Sequence, residues 1–276
     1  AVALHTGDLV GMGSSPQQWD NFFAIEQPLL SSVPLYPAIG NHEEDGKLYV
    51  EAFELPEDSP HPERCYTFSY ATAWFAVLDV YTSPFGEGSE QLAWIEKELE
   101  TASKRPEIRH RIVMAHHGPF DSGMHGSNME MREQLVPLFE RYGVDMVFTG
   151  HNHHYERSTV NGIKYVVTGG SGAPLRDVQG DWWTEKRDSV LHYITLDMHG
   201  AWLRFEAKKL DGSELDGFEL GRDVYECEAD SDCAGSERGV CEDGFEPRWA
   251  CARSACVPDC VYAPPSEDEG VGLTWE

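Results

Sequence analysis

The sequence predicts an α/β protein, because segments of β-strand character alternate with segments of amphipathic helical character along most of the chain. The strand-like segments, such as "WFAVLDVYT" and "HRIVMAHH", are rich in β-branched and aromatic residues. The helical segments, such as "SEQLAWIEKELETASK", repeat apolar residues with helical spacing. At 276 residues and 41% hydrophobic, the chain is long enough to bury one large core, with or without a small appendage.

The order of the predicted elements favours parallel pairing in the first part of the chain. The predicted strands cover residues 1–8, 35–41, 74–82, 110–117, 144–150, 164–170, 190–198 and 201–210. The predicted helices cover residues 16–32, 89–104 and 128–143. A helix between two strands returns the chain to the same edge of a sheet, so the strands it joins are expected to run parallel. The last strands have no helix between them and are expected to pair antiparallel.

The charge of the chain argues against two classes of partner. The net charge is −27, and the chain has 21 Lys and Arg residues. Nucleic acids and anionic membranes are bound mainly by such residues, so neither is expected as a partner. The sequence contains no run of about 18 apolar residues, which would predict a membrane span. No segment of it has the pattern expected of a signal peptide. The chain begins without Met, inside the predicted strand "AVALHTGD", so we expect it to be a fragment or a processed form.

The cysteines are distributed unevenly. Cys65 is alone in the first part of the chain and is predicted to be a buried free thiol. The other cysteines share one short acidic segment; they are Cys227, Cys233, Cys241, Cys251, Cys256 and Cys260. Their spacing favours three disulfides over a zinc cluster, which would normally show close C-x2-C pairs. Disulfides in turn favour a secreted, periplasmic or cell-surface protein.

A change in composition near residue 222 suggests three parts. Residues 1–222 are predicted to form the α/β domain, residues 223–262 a Cys-rich module, and residues 263–276 an acidic tail. The segment "CEADSDC" resembles small disulfide modules attached to bacterial surface proteins. The Cys-rich module is therefore a candidate for tethering the protein to a cell surface or to a substrate.

Metal-ligating residue types follow four of the predicted strands. They are Asp8, then Asn41 and His42, then His116 and His117, and finally His151 and His153. Each group alone also fits an ordinary polar turn. Ligands bind at the carboxyl ends of strands in open α/β sheets, so the four groups together predict one metal site.

The motifs "GDLV", "GNHE", "VMAH" and "GHNH", in this order, resemble those of the calcineurin-like metallophosphoesterases. The longer "FTGHNHHYER" is closest to the purple acid phosphatase branch. The resemblance extends over about residues 1 to 210. It implies a four-layer α/β/β/α sandwich with a dinuclear metal centre that hydrolyses phosphoesters. The small C-terminal module would be an addition to that fold.

The resemblance also implies a role for each motif residue. Asp8 matches the carboxylate that bridges both metals, and His153 matches a ligand of the first metal. The ligands of the second metal match Asn41, His116 and His151. His42 matches the histidine that contacts phosphate or protonates the leaving group. Such metals, when bound, supply the positive charge that the few Lys and Arg residues cannot.

The roles of His117, His125 and His154, which lie close to the matched ligands, are predicted from their positions. In an extended H-x-H segment, alternate side chains share one side, so His151 and His153 can serve different metals. His154 is expected to point away and to support the site by packing or by contacts behind the ligands. His117 and His125 are candidates for contacting the substrate, with exposed loop residues as the alternative.

Two features depart from the family pattern. The family's first Asp motif, D-x-G or D-x-H, has no counterpart upstream of "GDLV", so the first metal lacks that carboxylate. Gly11 stands where purple acid phosphatases carry Tyr, which argues against a tyrosinate-bound ferric ion. The remaining nitrogen and oxygen ligands suit Fe, Zn, Mn or Ni without choosing among them.

Two functions therefore remain open. The first is an exported phosphoesterase that acts on small phosphoester substrates, either monoesters or diesters. The second is a catalytically impaired module that binds a single metal and interacts through its Cys-rich segment. The two differ in whether the first metal acquires enough ligands.

Overall fold

The computed structural model describes residues 1–221, 245–252 and 255–262. The strands are β1 (Ala3–His5), β2 (Leu35–Pro37), β3 (Tyr66–Tyr70), β4 (Ala73–Leu78), β5 (His110–Ala115), β6 (Met146–Thr149), β7 (Tyr155–Val160), β8 (Ile163–Thr168), β9 (Thr184–Asp188), β10 (His192–His199), β11 (Trp202–Lys209), β12 (Glu214–Leu220), β13 (Phe245–Ala252) and β14 (Ala255–Tyr262). The helices are α1 (Pro16–Leu30), α2 (Lys47–Ala52), α3 (Glu90–Ser103), α4 (Met129–Gln134) and α5 (Val136–Arg141), and a 3-10 turn covers Asn41–Glu43.

A seven-stranded sheet organises the larger part of the protein. Its strand order is β3-β4-β5-β6-β8-β7-β9. The neighbours β4, β5, β6 and β8 run parallel, whereas β3 and β7 run antiparallel to β4 and β8. Helix α3 joins β4 to β5, and α4 with α5 joins β5 to β6. This confirms the α/β class and the parallel pairing predicted from the alternating segments.

The main core lies between the helices and one face of this sheet. Alternate residues of β4, namely Trp74, Ala76 and Leu78, pack there with Ile95 and Leu99 of α3. Both of these α3 residues are fully buried. Burying a side chain of this size stabilises the fold by about 1.5 to 3 kcal/mol relative to exposure. The amphipathic pattern of α3 thus fixes that helix against the sheet between β4 and β5.

The other face of the sheet is covered by aromatic residues from neighbouring strands. Phe68 of β3 stacks on Phe75 of β4 with ring centroids 4.8 Å apart, and on Tyr36 of β2 at 3.9 Å. Phe148 of β6 stacks on Phe205 of β11 at 6.2 Å. Strand β2 pairs in parallel with β1, and β10, β11 and β12 form a separate three-stranded sheet. These contacts place further strands on the face opposite the helices.

One predicted helix is divided in two. The sequence predicts one helix over residues 128–143, but α4 ends at Gln134 and α5 begins at Val136. The division coincides with Pro137 in the first turn of α5. Proline lacks the N–H that would continue the helical bonding and disfavours helical backbone at the preceding residue. The single-helix prediction was therefore wrong at this point.

Several strands were not predicted. Strand β3 was missed, and so were β7, β9 and β12. Strands β7 and β9 read "YERSTV" and "TEKRD", whose charged residues hide the strand pattern. The charged residues of β7 have partners from distant parts of the chain. Arg157 forms an ion pair with Asp216 at 2.6 Å, and Glu156 accepts two hydrogen bonds from Ser122, each at 2.8 Å. Burial of paired charges cannot be recognised from local sequence.

The predicted Cys-rich module extends over residues only partly described. Strands β13 and β14 form an antiparallel pair from Phe245↔Tyr262 to Ala252↔Ala255, and they belong to a compact unit separate from the one that carries the motifs. The predicted disulfides involve side chains that are not described, and the acidic tail and the boundary at residue 222 lie in segments that are not described. All three stay predictions. Cys65 is buried and forms no disulfide within the part of the chain that is described, as predicted. No described helix is both long and apolar enough to cross a membrane.

Candidate metal centre

The loop after β1 holds the first motif in a tight conformation. Gly7 and Asp8 both have positive φ, 95° and 58°. The carboxylate of Glu43 accepts the N–H groups of Asp8 at 2.9 Å and Leu9 at 2.7 Å, which fixes this backbone. Gly40 lies so close that a Cβ there would be 2.3 Å from Asp8 Oδ1. Glycine is therefore required where the two motif loops meet.

The 3-10 turn after β2 presents Asn41 and His42. Its third residue, Glu43, is 1% exposed and also accepts the N–H of Gly40 at 2.7 Å. The N–H of His42 donates to Asp8 Oδ1 at 2.8 Å. The Nδ1 of His42 lies 2.9 Å from the carbonyl oxygen of Gly11 and must donate to it, which leaves Nε2 with a lone pair in the neutral ring.

His116 joins these loops at the end of β5. Its ring is buried, and Nδ1 donates to the carbonyl oxygen of Thr6 at 2.7 Å. In the neutral ring, Nε2 then carries only a lone pair. Three polar side-chain atoms surround that nitrogen: Asp8 Oδ2 at 3.0 Å, Asn41 Oδ1 at 3.1 Å and His151 Nδ1 at 3.3 Å.

His151 closes the cluster from the loop after β6. It has a positive φ of 62°, and its Nδ1 lies 3.0 Å from Asn41 Oδ1. Burial lowers the pKa of His151 to about 3, with further lowering from His117 and His116. The ring is therefore neutral at physiological pH and able to act as a ligand.

This cluster fits a metal cation by the chemistry of its atoms. The carboxylate of Asp8, the amide oxygen of Asn41 and Nε2 of the neutral His116 ring present lone pairs to one another, and His151 Nδ1 adds a lone pair when its ring proton is on Nε2. Such atoms repel one another without a cation or a proton between them. The ligand atoms of Asp8, His116 and His151 all lie within 4.8 Å of one another. Burial acts to raise the pKa of Asp8, but contacts with His116 and His42 outweigh it and hold that pKa below its usual value. Asp8 is thus ionised and available to a cation.

His153 lies outside this tight group. Its Nδ1 donates to the carbonyl oxygen of Pro174 at 2.8 Å, so Nε2 of the neutral ring is available as a ligand. His153 does line the same cavity of about 400 Å³ as Asp8, His116 and His151. The structure therefore brings four predicted ligands together in Asp8, Asn41, His116 and His151, and leaves His153 at the edge of the site.

The two candidate substrate residues lie beside His151. The ring centroid of His117 is 4.4 Å from that of His151, and the ring of His125 is 4.6 Å from it. His117 Nε2 is held by the carbonyl oxygen of Gly126 at 2.8 Å. Burial lowers the pKa of His117, and His116 and His125 lower it further, whereas the Gly126 carbonyl opposes them. Their contact with a substrate stays a prediction.

Sequence reasoning missed two residues of this site. Glu43 follows His42 in "GNHEE" and holds both motif loops, yet it has the sequence appearance of an exposed acidic residue. Tyr81 has its hydroxyl 3.3 Å from His151 Nε2. Tyr81 lay inside the predicted strand 74–82, whereas β4 ends at Leu78, so the strand-end rule could not identify it without the true end of that strand. Burial raises the pKa of Tyr81, so the hydroxyl stays protonated at neutral pH.

One wall of the 400 Å³ cavity comes from α1. Phe22 and Ile25 line it together with the polar side chains of Gln18 and Glu26. The lining also includes Gly169, Ser171, Gly172 and Ala173. The cluster of ligands therefore faces a space large enough for a small molecule, with both apolar and polar surface.

Known proteins share these features. The calcineurin-like phosphoesterase family profile matches residues 1–155. A protein of Arabidopsis thaliana, "Probable inactive purple acid phosphatase 24", is 30% identical over 83% of this chain and 45% of its own length. A "Nucleotide pyrophosphatase/phosphodiesterase" of Hordeum vulgare is 27% identical over 83% of this chain and 75% of its own length.

A solved structure agrees with these matches. The purple acid phosphatase isolated from yellow lupin (Lupinus luteus) seeds superposes with a TM-score of 0.71 and 26% identity, covering 79% of this chain and 46% of that chain. This chain thus spans less than half the length of the Arabidopsis and lupin proteins. The family match covers more than half of this chain and includes all the predicted ligands, so the chain belongs to the calcineurin-like phosphoesterase family and has purple acid phosphatases among its relatives.

Proposed function

We propose that this protein hydrolyses phosphoesters with a dinuclear metal centre. Asn41, His116 and His151 would hold the second metal, His153 the first, and Asp8 would bridge the two. The observation that supports this best is the set of atoms around His116 Nε2, all within 3.3 Å. Asp8 Oδ2, when ionised, and Asn41 Oδ1 can only accept hydrogen bonds, and His151 Nδ1 also carries a lone pair when its ring proton is on Nε2. A pair of bound metals would lower the pKa of water and stabilise charge on the phosphoryl oxygens.

The remaining side chains support the same chemistry. His42 is exposed and is oriented through its Nδ1 contact with Gly11. In the imidazolium form, with a second proton on Nε2, the ring could contact phosphate or protonate a leaving-group oxygen. His117, His125 and Tyr81 surround His151 and would contact the substrate around the reacting group. Metal identity stays open among Fe, Zn, Mn and Ni, because all accept this ligand set.

The second candidate is a catalytically impaired module that binds one metal. The specific observation in its favour is the poor ligand set of the first metal, to which Asp8 and His153 are the candidates within the described residues. Sites for zinc-type metals normally use three or four protein ligands. Some similar proteins carry the words "probable inactive" in their names.

The proposed setting of the protein rests on its sequence. Export to the secretory, periplasmic or surface environment would suit the six clustered cysteines. A small phosphoester would be the substrate, and the Cys-rich segment would tether the protein to a cell surface. Neither nucleic acid nor membrane is proposed as a partner, because of the net charge of −27.

Stepwise reconstitution tests the proposed function. Metal would be removed with a chelator, and Zn, Mn, Fe or Ni would be returned in increments while metal content and the hydrolysis of an aryl phosphate and a bis-aryl phosphate are measured. We expect the rate to rise with the second equivalent that enters the site, and the two substrates to separate monoesterase from diesterase activity. Tight binding of one equivalent at this site, without hydrolysis at any metal excess, would instead support the single-metal module.

A further inference from the structure

A second group of metal-ligating residues lies inside the protein, apart from the ligands proposed above. Asp121 lies in the loop after β5, His154 immediately before β7, and Glu156 within β7. Their side chains are all fully buried or nearly so, with Asp121 2% exposed and the other two 0%. The ligand atoms of the three residues lie within 4.8 Å of one another.

The spacing in this group is too long for hydrogen bonds. His154 Nε2 lies 3.6 Å from Asp121 Oδ1 and 3.6 Å from Glu156 Oε2. A charge-assisted N–H···O bond is about 2.7 to 2.9 Å long. Two ligand atoms that each lie about 2.0 to 2.2 Å from one metal are separated by about 3.0 to 3.6 Å. The observed distances match two ligands of a shared metal better than a hydrogen-bonded pair.

His154 lacks the partners that a buried histidine normally has. Neither ring nitrogen makes a hydrogen bond within the described residues, although the side chain is fully inaccessible to solvent. Buried polar atoms are nearly always hydrogen-bonded, so an exception needs an explanation, and a bound ion is one. The unpartnered Nε2 faces the two carboxylates, which is the direction a ligand of a metal would take.

The charge of the group also favours a divalent cation. Asp121 accepts hydrogen bonds from Asn152 Nδ2 at 2.7 Å and from the backbone N–H of Gly123 at 2.8 Å, both neutral groups. With a neutral His154, one divalent cation would balance the two carboxylates, whereas an imidazolium would leave one buried negative charge.

The donors to Glu156 are also neutral. Its Oε2 accepts the N–H and the hydroxyl of Ser122, each at 2.8 Å, and its Oε1 accepts the indole N–H of Trp183 at 3.2 Å. These bonds orient the carboxylate and hold it beside His154. Because Oε2 already accepts two hydrogen bonds, a metal bound there would take the place of the Ser122 hydroxyl, whereas the Ser122 N–H would keep the carboxylate oriented.

We propose that Asp121, His154 and Glu156 bind one divalent cation of the Zn or Mn type, as a structural site separate from the phosphoesterase centre. A surface groove of about 470 Å³, lined by Asp121, Ser122 and Gly123, gives the cation a route to the site. The cation would tie the loop after β5 to the chain segment that also carries His151 and His153. Asn152 already joins these two parts, because its Oδ1 accepts the N–H of His125 at 3.1 Å.

Metal analysis in the absence of the other site tests this proposal. The double variant His116→Ala/His151→Ala removes two ligands of the phosphoesterase centre. After dialysis against Zn²⁺ and then against metal-free buffer, we expect this variant to retain about one Zn²⁺ per chain. Adding Asp121→Asn and Glu156→Gln should lower the retained metal at least tenfold. Adding Asp145→Asn instead removes a carboxylate that accepts a backbone N–H from Arg111, and it should leave the metal content unchanged.

Two results would overturn the proposal. The first is a folded double variant that retains no metal, which would make the group an ion-paired network. The second is metal content that survives the loss of Asp121 and Glu156 carboxylates. Should these variants fail to fold, as judged by circular dichroism, crystals of the unaltered chain soaked in Zn²⁺ decide the matter. We expect an anomalous scattering peak within about 2.3 Å of all three side chains, and its absence would refute the site.

Discussion

At the scale of single residues, two of the proposed ligands occupy costly backbone conformations. Asp8 and His151 have φ values of 58° and 62°, a region that non-glycine residues seldom adopt. Such strain costs on the order of 1 kcal/mol or more, and it persists only where surrounding bonds impose it. For Asp8 those bonds come from Glu43, whose carboxylate accepts the N–H of Asp8 at 2.9 Å. The sequence shows the ligand types, but not that their orientation depends on this strain.

The ligand assignment predicts the effect of removing either buried imidazole. In His116→Ala or His151→Ala, we expect metal content to fall by at least one equivalent per chain, because each change removes one of four proposed ligands of the second metal. Hydrolysis of an aryl phosphate should fall at least a hundredfold, in keeping with the effect of losing a catalytic metal. Elemental analysis after dialysis and initial-rate measurements check both effects.

A matched control for these variants is His199→Ala. His199 is an exposed histidine of β10 and is no part of the proposed centre, so its loss should leave metal content unchanged. If His116→Ala and His151→Ala retained the same metal as His199→Ala, the proposed second-metal ligands would be wrong.

His42 is expected to behave differently from the ligands. In His42→Ala, turnover should fall by about 10²- to 10⁴-fold, the usual contribution of a general acid or base, while metal content holds. The backbone N–H of His42, which contacts Asp8 Oδ1 at 2.8 Å, is retained in this variant. Measuring kcat, KM and bound metal separates the possibilities. Loss of metal in this variant would move His42 into the group of ligands.

At the scale of secondary-structure elements, the strand-end rule explains which parts of the site were predictable. Asp8, His116 and His151 each follow an apolar run, and their side chains lie together. Two sheets contribute, because Asp8 follows β1 of the two-stranded sheet, whereas His116 and His151 follow β5 and β6 of the seven-stranded sheet. The rule gives no distances within the cluster. Contacts such as His116 with Asn41 join residues 75 positions apart, and they depend on the register of β1 with β2 and of β5 with β6.

Other elements could not be predicted because their polar residues are paired at long range. Strand β7 contains Glu156 and Arg157, and Arg157 bonds Asp216, 59 residues later in the chain. Without these partners, such residues would favour an exposed loop. The same applies to Glu43, which a sequence pattern cannot distinguish from its exposed neighbour Glu44.

Glu43 should be essential to the connection between the loop after β1 and the 3-10 turn. Its two oxygens accept N–H groups from Asp8, Leu9 and Gly40. In Glu43→Gln, one oxygen becomes an NH₂ group that cannot accept, so at least one buried N–H loses its partner. We expect the free energy of unfolding to fall by about 1 to 3 kcal/mol. Metal affinity should fall as well, because the backbone of Asp8 is no longer held.

Glu44→Gln is the matched control for this prediction. Glu44 is exposed and accepts one N–H, from Ser14, at 3.0 Å. Urea denaturation and metal titration of both variants give the comparison. Equal stability and equal metal affinity for the two variants would show that Glu43 does not hold the loops.

At the scale of the whole molecule, the predicted disulfides set the number of free thiols. If the six cysteines from Cys227 to Cys260 form three disulfides, denatured, non-reduced protein should contain about one thiol per chain. That thiol is Cys65, which is fully buried, and burial raises its pKa to about 11. Native protein should therefore react slowly with a thiol reagent, because little thiolate forms and none is accessible. Seven thiols per chain would contradict the three disulfides. The absence of any thiol in denatured, non-reduced Cys65→Ser would confirm that the single thiol is Cys65.

The pH dependence of global stability should reflect His5, which lies in β1 behind the ligands. In the metal-free protein, burial lowers the pKa of His5 to about 4, and the nearby His116 lowers it further against a smaller opposing effect of Asp8. An unfolded histidine titrates at about 6.5. Between these values the unfolded state binds more protons than the folded state, so the contribution of His5 is present above pH 6.5 and is lost as the pH falls toward 4.

Other titratable groups change the free energy of unfolding in the opposite direction as the pH falls. The contribution of His5 is therefore measured by comparing a His5 variant with the parent protein. Burial raises the pKa of Asp121 to about 6, which favours the folded state as the pH falls. The variant His5→Asn cannot titrate, and its amide oxygen can replace the ring nitrogen that accepts the N–H of Gly7. Asp121 contributes equally to this variant and to the parent protein, so the difference in their unfolding free energies isolates His5.

We expect His5→Asn to gain stability relative to the parent protein by roughly 1 to 3 kcal/mol between pH 6.5 and pH 4, since each pKa unit is worth about 1.4 kcal/mol and the ring is not fully buried. Urea denaturation of chelator-treated protein at several pH values measures the difference. His199→Asn, an exposed change, should show no such trend. If the difference in unfolding free energy between His5→Asn and the parent protein stayed constant with pH, His5 would titrate alike in the folded and unfolded states. Strand β1, next to the metal centre, would then not keep this ring neutral.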